Sequence, residues 1–490
     1  MQTAVATPRR QSRRALPGSR RPGASAVRAH WLFALLCGLG IVPRVLVQIA
    51  YRPALELYGD SFIYLQQGLT PNRMHPVGYA VLLSILSNTG HIVVVPILQH
   101  LLGIAMAVTI YALLLRLGVR RTVAALGAVP VLLDGYQIDI EHFVLGDTVQ
   151  QVLLLAALTL LLWGGRPGLL AGVGVGVVLT ASALVRSGAL PVLVIAGVYL
   201  LVRTNWRALL GVAGAAAVCL GAYAGWMHSY TGTYGIQEGN GLFLYGRTAP
   251  IAKCDQLPTS VQDICPTDPV SARPGAEYYV YGAASPINQL PSLPDKEKRG
   301  AALARAVLVD QPGDYVRDVA GDVWHYFAPG RYSGTRDFRD DRWRFPLYKT
   351  PGGDPLFHVT VATAGFGHQT AVPHPNYRVA GWLHSYQRFV YTPGPLLLLC
   401  LLGAVLAAGP LLFRRTGRRQ ARWAALVFAL TGLALVLSPS LAAGFSYRYG
   451  LPLLVTLPVA GAVALDITLN AVTPRRRSSV RGDDRPGRPS

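Results

Sequence analysis

Ten apolar runs, at residues 31–50, 92–115, 122–133, 148–163, 169–184, 190–202, 208–227, 393–413, 423–441 and 451–469, alternate with polar stretches along the chain. An upright membrane-crossing helix needs roughly 20 apolar residues, and several of these runs are shorter. The pattern predicts an all-α polytopic membrane protein with about ten transmembrane helices.

The arginines give the runs a direction. Arg9, Arg10, Arg13, Arg14, Arg20, Arg21 and Arg28 precede the first run, and Arg116, Arg120 and Arg121 follow the second. Arg166 follows the fourth, Arg203 and Arg207 the sixth, Arg414, Arg415, Arg418, Arg419 and Arg422 the eighth, and Arg475, Arg476 and Arg477 the last. All of these clusters fall on one side, which the positive-inside rule makes cytoplasmic, so both termini are expected inside a cell membrane. Acids avoid that side. Glu56, Asp60, Asp134, Asp139, Glu141 and Asp147 lie in or beside the first two outward loops, and only Asp466, Asp483 and Asp484 stand apart from the outward segments.

Composition agrees with this reading: 490 residues, 51% hydrophobic, only 14% charged, and a mean hydropathy of +0.35 exclude the soluble globular class. A net charge of +21 would suit a nucleic-acid partner, but the basic residues are dispersed between apolar runs rather than gathered on one face. Membrane lipids are therefore the expected neighbours, and nucleic acid is not. Residues 1–30 and 471–490 carry no apolar periodicity and read as cytoplasmic tails, the first of them disordered.

Transmembrane modules at 31–227 and 393–470 flank a segment, 228–392, that is too long and polar for a connection. It is expected to fold as an extracytoplasmic domain of mixed or irregular structure. Prolines from Pro258 to Pro294 punctuate its first half, whereas residues 301–327 carry apolar positions at helical spacing, interrupted by Pro312. Cys254 and Cys265 lie a short loop apart in this segment, on the oxidising side. A disulfide is the simplest reading, since no second Cys or His pair stands nearby at zinc-site spacing. Gly172, Gly174 and Gly176 fall inside a span, where small residues serve helix packing rather than a nucleotide.

The first outward loop, 51–90, holds two helical pieces at 61–68 and 77–87. Asp60 precedes the first of them. A carboxylate beside a bilayer is costly unless used or paired, so Asp60 is a candidate for chemistry, with helix capping as its alternative role. Glu141 and His142 in the second outward loop are candidates for substrate contact or for a solvated pair, and Arg73 and Arg448 for phosphate binding or snorkelling to headgroups.

Several motifs occur in order: Arg44 in the first span, Gly59-Asp60-Ser61 followed by Tyr64, Asn72-Arg73-Met74-His75-Pro76-Val77-Gly78-Tyr79, and an acid-bearing loop with Glu141 and Asp147. Arg186 then follows a Gly- and Ser-containing helix, and Tyr447-Arg448-Tyr449 precedes Leu451-Pro452. In this order and sidedness the chain resembles the membrane glycosyltransferases of the C superfamily, which include protein and lipid mannosyltransferases. The likeness covers 31–227 and 425–468; the external segment matches no family pattern.

The resemblance implies transfer of a sugar, hexosyl or pentosyl, from a polyprenyl-phosphate donor to a protein, lipid or polysaccharide acceptor at the outer face. Asp60 and Glu141 would be the catalytic carboxylates, handling the acceptor proton or a metal. Arg44, Arg73, His75, Arg186 and Arg448 would meet the leaving phosphate, for which guanidinium groups are well shaped. Tyr64, His142, Asp147 and Tyr449 are further candidates for substrate contact. No cofactor is fixed by the sequence, and a divalent metal such as Mg2+ or Mn2+ is left open. Two other classes stand beside this one: a ligase or polymerase using a lipid-linked glycan, and a lipid or polysaccharide transporter. A transporter should carry broken helices at the midplane and an internal repeat. Here the candidates gather at the outer mouth and no repeat is evident, which favours the enzyme.

Overall fold

The structure, a computed structural model, describes residues 22–57, 59–331, 334, 336–338, 340–347, 366, 374–409 and 418–472. Most of both expected tails lies outside the described residues, as do Arg414 and Arg415. Residues 22–30, within the stretch expected to be a tail, carry the start of the first helix, α1, which runs Pro22–Ala50. At His30 the backbone leaves helical angles (φ −121°), and His30 Nδ1 lies 2.7 Å from the Tyr111 hydroxyl while Phe33 stacks on the same ring. Those aromatic contacts tie the start of the first apolar run to α4.

A two-residue strand, β1 (Tyr51–Arg52), pairs antiparallel with β2 (His374–Pro375). The first loop then forms α2 (Asp60–Gln67) and α3 (Gly78–Ser87), close to the two pieces the sequence predicts. Next come α4 (Val94–Arg116), α5 (Arg121–Leu133), the short α6 (Gly135–Ile140), α7 (Asp147–Leu162), α8 (Leu169–Val185), α9 (Leu190–Val202) and α10 (Trp206–Thr231). The long polar segment contributes α11 (Asn240–Thr248), α12 (Ala276–Tyr281), α13 (Leu293–Asp310) and α14 (Pro312–His325). Pro312 does not break a helix there. It starts one, at a first-turn position where its missing N–H is no loss. The chain ends with α15 (Tyr377–Phe389), α16 (Gly394–Ala408), α17 (Arg419–Ala442) and α18 (Leu453–Val472).

A helix covers most of the described part of every apolar run. Among the described residues five helices are long and apolar enough to cross a membrane, namely those within Arg28–Ala50, Val94–Arg116, Trp206–Thr231, Arg419–Ala442 and Tyr447–Ala471. A sixth is added if α15 and α16, which meet at 43°, form one broken span; α5, α7, α8 and α9 are apolar but shorter. Large apolar side chains stand exposed along α1 (Leu35, Leu39, Val42), α10 (Leu210, Val218) and α16 (Leu399, Leu402, Leu406), a coat that suits lipid and not water.

The helix core is packed through small residues. A Cβ built on Gly176 would stand 2.6 Å from the Val212 carbonyl of α10, so α8 and α10 approach as closely as they do because glycine is there. Gly172 meets Ala208 in the same way, whereas Gly174 faces only Leu160. At one end of the bundle, Asp466 of α18 accepts from the Arg120 backbone N–H at 3.0 Å and lies 3.5 Å from the Arg120 side chain; it also takes an ion pair at 2.5 Å from Arg418. The acid that stands apart in the sequence pattern is thus neutralised by two arginines of that side. Residues 242–319 form an apolar core of their own, centred on Leu242, Tyr245, Tyr279, Leu303 and Val307. Within it Cys254 and Cys265 are joined by a disulfide, their Cα atoms 5.9 Å apart.

Candidate functional site

Four helix ends meet at the pole of the bundle opposite Asp466. α2 begins with Asp60, after a turn at Gly59 whose φ of +95° favours glycine; the Leu57 N–H donates to the Ser61 hydroxyl at 2.9 Å and pins that turn. Asp60 does not cap its helix through a hydrogen bond. α7 begins with Asp147, a carboxylate where the helix dipole welcomes one, and Arg186 ends α8, a cation at the complementary end. Arg448 sits in the single turn Tyr447–Gly450 ahead of α18.

These residues form one chain of alternating charge. Arg186 Nη1 donates to Asp147 Oδ1 at 2.7 Å. Arg448 grips the same carboxylate from the other side, with Nε at 3.1 and 3.0 Å from its two oxygens and Nη2 at 2.8 Å. Arg448 Nη1 then reaches Asp60 Oδ2 at 2.6 Å, and the other Asp60 oxygen lies 3.5 Å from His75 Nε2. The inner members, Arg448 and Asp147, are almost wholly buried, but the Asp60 side chain is 25% exposed. Burial pushes the Asp60 carboxyl up, yet Arg448 and His75 outweigh it and hold the group below the usual carboxylate range. It is ionised at neutral pH.

A cavity of about 390 Å³ opens on this chain of charges. Asp60, His75, Asp147, Arg186 and Arg448 form its polar wall, with Tyr64 and Tyr449 beside them. The Tyr64 and His75 rings lie 4.9 Å apart, and the Arg186 guanidinium lies 5.6 Å from the centre of the Tyr449 ring. Leu435, Pro439 and Ala442 of α17 and Phe243 and Leu244 of α11 make the opposite side apolar. A pocket of this kind, apolar with a few convergent polar groups, is the usual form of a small-molecule site. Sequence reasoning missed the contributions of Gln150, Gln237, Asn240 and Ser438 to the lining. Gln150 was within reach, since it lies three residues after Asp147 and shares its helix face. Nothing local marks the other three.

Seven of the expected residues therefore converge: Asp60, Tyr64, His75, Asp147, Arg186, Arg448 and Tyr449. Four others do not line this cavity. Arg44, expected at the donor phosphate, is buried with all five N–H groups engaged: Nε and Nη2 on Glu141 at 2.8 and 2.9 Å, the rest on the carbonyls of Gly40, Leu132 and Val131. It has no donor left for a phosphate. Glu141, expected to be catalytic, is its partner and is fully buried. Glu141 also meets His100 Nδ1 at 3.0 Å and the Gln137 amide at 3.2 Å. Gly103 of α4 makes room for it, because a Cβ there would overlap the Glu141 carboxylate.

His142 joins the same interior network, 2.9 Å from the Tyr51 carbonyl and 3.3 Å from His100. Burial, then the neighbouring His100, hold it down to about 3, so it is neutral. Arg73 is half exposed and pairs with Glu238 at 3.4 Å, tying the first loop to the start of the long segment. The donor set of the cavity does not fit a divalent metal. Both carboxylates face guanidinium groups, and among the described residues no three His, Cys, Asp or Glu converge to hold one.

Comparison of the chain with protein-family models, with curated proteins and with solved structures finds no match.

Proposed function

We propose that the chain is a membrane glycosyltransferase that moves a sugar from a polyprenyl-phosphate donor to an acceptor at the outer face. The observation that carries this reading is the contact between the ionised, partly exposed Asp60 and Arg448, 2.6 Å apart on the wall of a cavity whose other side is apolar. About ten spans are proposed, with both termini on the arginine-rich side and 228–392 outside, which sets this cavity at the outer interface. The apolar wall then suits a lipid tail, and the arginines suit its phosphate.

Charge selects among donors. Arg186 and Arg448 are already matched by Asp60 and Asp147, so the group is near neutral. That balance favours a singly charged phosphodiester over a pyrophosphate. Among the described residues Arg186 makes one side-chain hydrogen bond, to Asp147, and leaves further N–H groups for the donor.

Arg448 couples binding to chemistry. While it holds Asp60 the carboxylate is a weak base. A donor phosphate that draws Nη1 away raises the basicity of Asp60 at the moment the acceptor hydroxyl arrives. The sugar C1–O bond to phosphate then breaks, its electron pair staying on the phosphate near Arg186 and Arg448. The acceptor oxygen bonds to C1, and its proton passes to Asp60.

The test is Asp60→Asn in a well-folded protein supplied with a polyprenyl-phosphate sugar and an acceptor. Turnover should fall by at least about two orders of magnitude, the scale of lost acid–base catalysis. Wild-type turnover would overturn the assignment. Movement of the lipid-linked sugar across a vesicle without transfer would favour the transporter.

A further inference from the structure

We infer that a second cavity, between α11, α14 and the segment after α17, binds a neutral, hydroxyl-rich ligand, a short carbohydrate. The cavity measures about 500 Å³, a size in the range of ligand pockets. Its wall is densely charged with both signs interspersed, four Arg or Lys side chains and four Asp, of which Asp322 is only partly ionised near neutrality. An anion would meet four carboxylates and a cation four positive groups, so neither is favoured. A sugar hydroxyl is both donor and acceptor and can use either.

Unmade hydrogen bonds point the same way. Arg247 forms an ion pair with Asp318 at 2.6 Å, and its Nη2 lies 3.1 Å from Asp322 Oδ2 without hydrogen-bond geometry. Arg247 Nε and Nη2, Asp322 Oδ2 and His325 Nδ1 are all buried without a hydrogen-bond partner. Arg247 is 5% and Asp322 7% exposed, and a buried polar group in that state loses free energy until something satisfies it. A planar guanidinium beside a carboxylate offers paired donors and acceptors to neighbouring hydroxyls. Burial pushes the Asp322 carboxyl up to about 7, so near neutrality it serves in either role. Ile251 and Phe445 give the wall an apolar part, where the C–H face of a sugar ring fits.

Position relates this cavity to the first. Ala442 and Ala443 line the first cavity, Gly444 and Phe445 the second, and Arg448 the first again, so one short segment runs between them. The ligand is therefore assigned as the acceptor glycan. That role rests on the transferase reading; the binding itself does not.

The experiment is ligand-detected NMR on the full chain in a detergent without a sugar headgroup. The probes are neutral trisaccharides of gluco, manno, galacto and arabinofuranosyl configuration, with inorganic phosphate as the charged control. At least one trisaccharide should bind at millimolar concentration. Asp322→Asn and the quarter-exposed Asp318→Asn, each with an unchanged melting curve, should weaken it by at least about tenfold, as expected for a lost charged hydrogen bond. Asp60→Asn should leave binding intact while abolishing transfer. Absence of trisaccharide binding, binding indifferent to both Asp substitutions, or a preference for phosphate would each overturn the inference. In the first two cases a protein that still turns over donor would keep the transferase reading.

Discussion

Glu141→Gln separates the two carboxylates that sequence reasoning paired as catalytic. Glu141 is fully buried and Arg44 only 4% exposed, so the substitution leaves a guanidinium with no counter-charge in the interior. An amide oxygen can keep one bond to Arg44, but the amide nitrogen then points a donor at Arg44, Gln137 or His100, which sit at 2.8–3.2 Å. Breaking a buried pair by removing one partner costs about 3–5 kcal/mol. For a chain of 490 residues, unfolding as one unit at roughly 1 °C per kcal/mol, that lowers the melting temperature by about 3–5 °C. The assay is thermal unfolding in detergent at a fixed scan rate, because membrane-protein unfolding is commonly a rate and not an equilibrium. Asp60→Asn, at a quarter-exposed site, should melt within about 1 kcal/mol of wild type while losing turnover. An unshifted melt for Glu141→Gln with lost turnover would refute the reasoning and return Glu141 to the chemistry.

Arg186→Ala should weaken binding of a polyprenyl-phosphate sugar by about 1.5–3 kcal/mol, read by calorimetry, with the fold kept because Arg448 still holds Asp147; unchanged affinity would assign Arg186 to lipid headgroups. Replacing Cys254 and Cys265 by serine should destabilise the segment around residues 242–319 by about 2–4 kcal/mol and open the loop between them to protease, whereas a wild-type digestion pattern would contradict this. For Asp322, burial raises the carboxyl to about 7 against the pull of Arg247, with Asp318 and Asp337 adding to the rise. A folded-state value above the unfolded one gives stability that is full below about pH 4 and is lost as pH rises through 7, so the melt of this segment should fall across that window and Asp322→Asn should flatten it. Gly176→Val should separate α8 from α10 and lower the melt, because its side chain would enter the Val212 backbone.

The sequence makes helix placement readable because it is a summed effect. Each apolar run involves many residues, and a helix covers most of the described part of every run. Convergence of Asp60, Asp147, Arg186 and Arg448 was legible for the same reason, since each stands at a helix end that faces the same pole of the bundle. Partner choice was not legible. Arg44 and Glu141 also carry opposite charge near that end, but 97 residues separate them and only the crossing of α1 with α4 and α5 sets them face to face. A charge at a helix end is compatible with a cavity or with an interior pair, and local pattern does not distinguish the two. Arg73 illustrates a third outcome: it leaves the cavity because Glu238, far along the chain, is nearer. Long-range partners of the second cavity, such as Arg247 with Asp318 and Asp322, leave no sequence signal at all.

The Arg44–Glu141 clasp also bears on how the chain is made. α1 emerges from the ribosome with a guanidinium near its C-terminal end, and the carbonyls of Val131 and Leu132 and the carboxylate that satisfy it are synthesised 87 to 97 residues later. At about 5–20 residues per second that interval lasts on the order of 5–20 s, long on the scale of helix motion. During it α1 must hold Arg44 at the headgroup level or remain beside the insertion machinery, since the lone charge is costly in hydrocarbon. Arrival of the α6–α7 loop draws the charge inward and locks α1 against its later neighbours. A chain truncated before residue 141 would therefore keep Arg44 without the carboxylate that neutralises it, and α1 would lack the pair that ties it to its later neighbours.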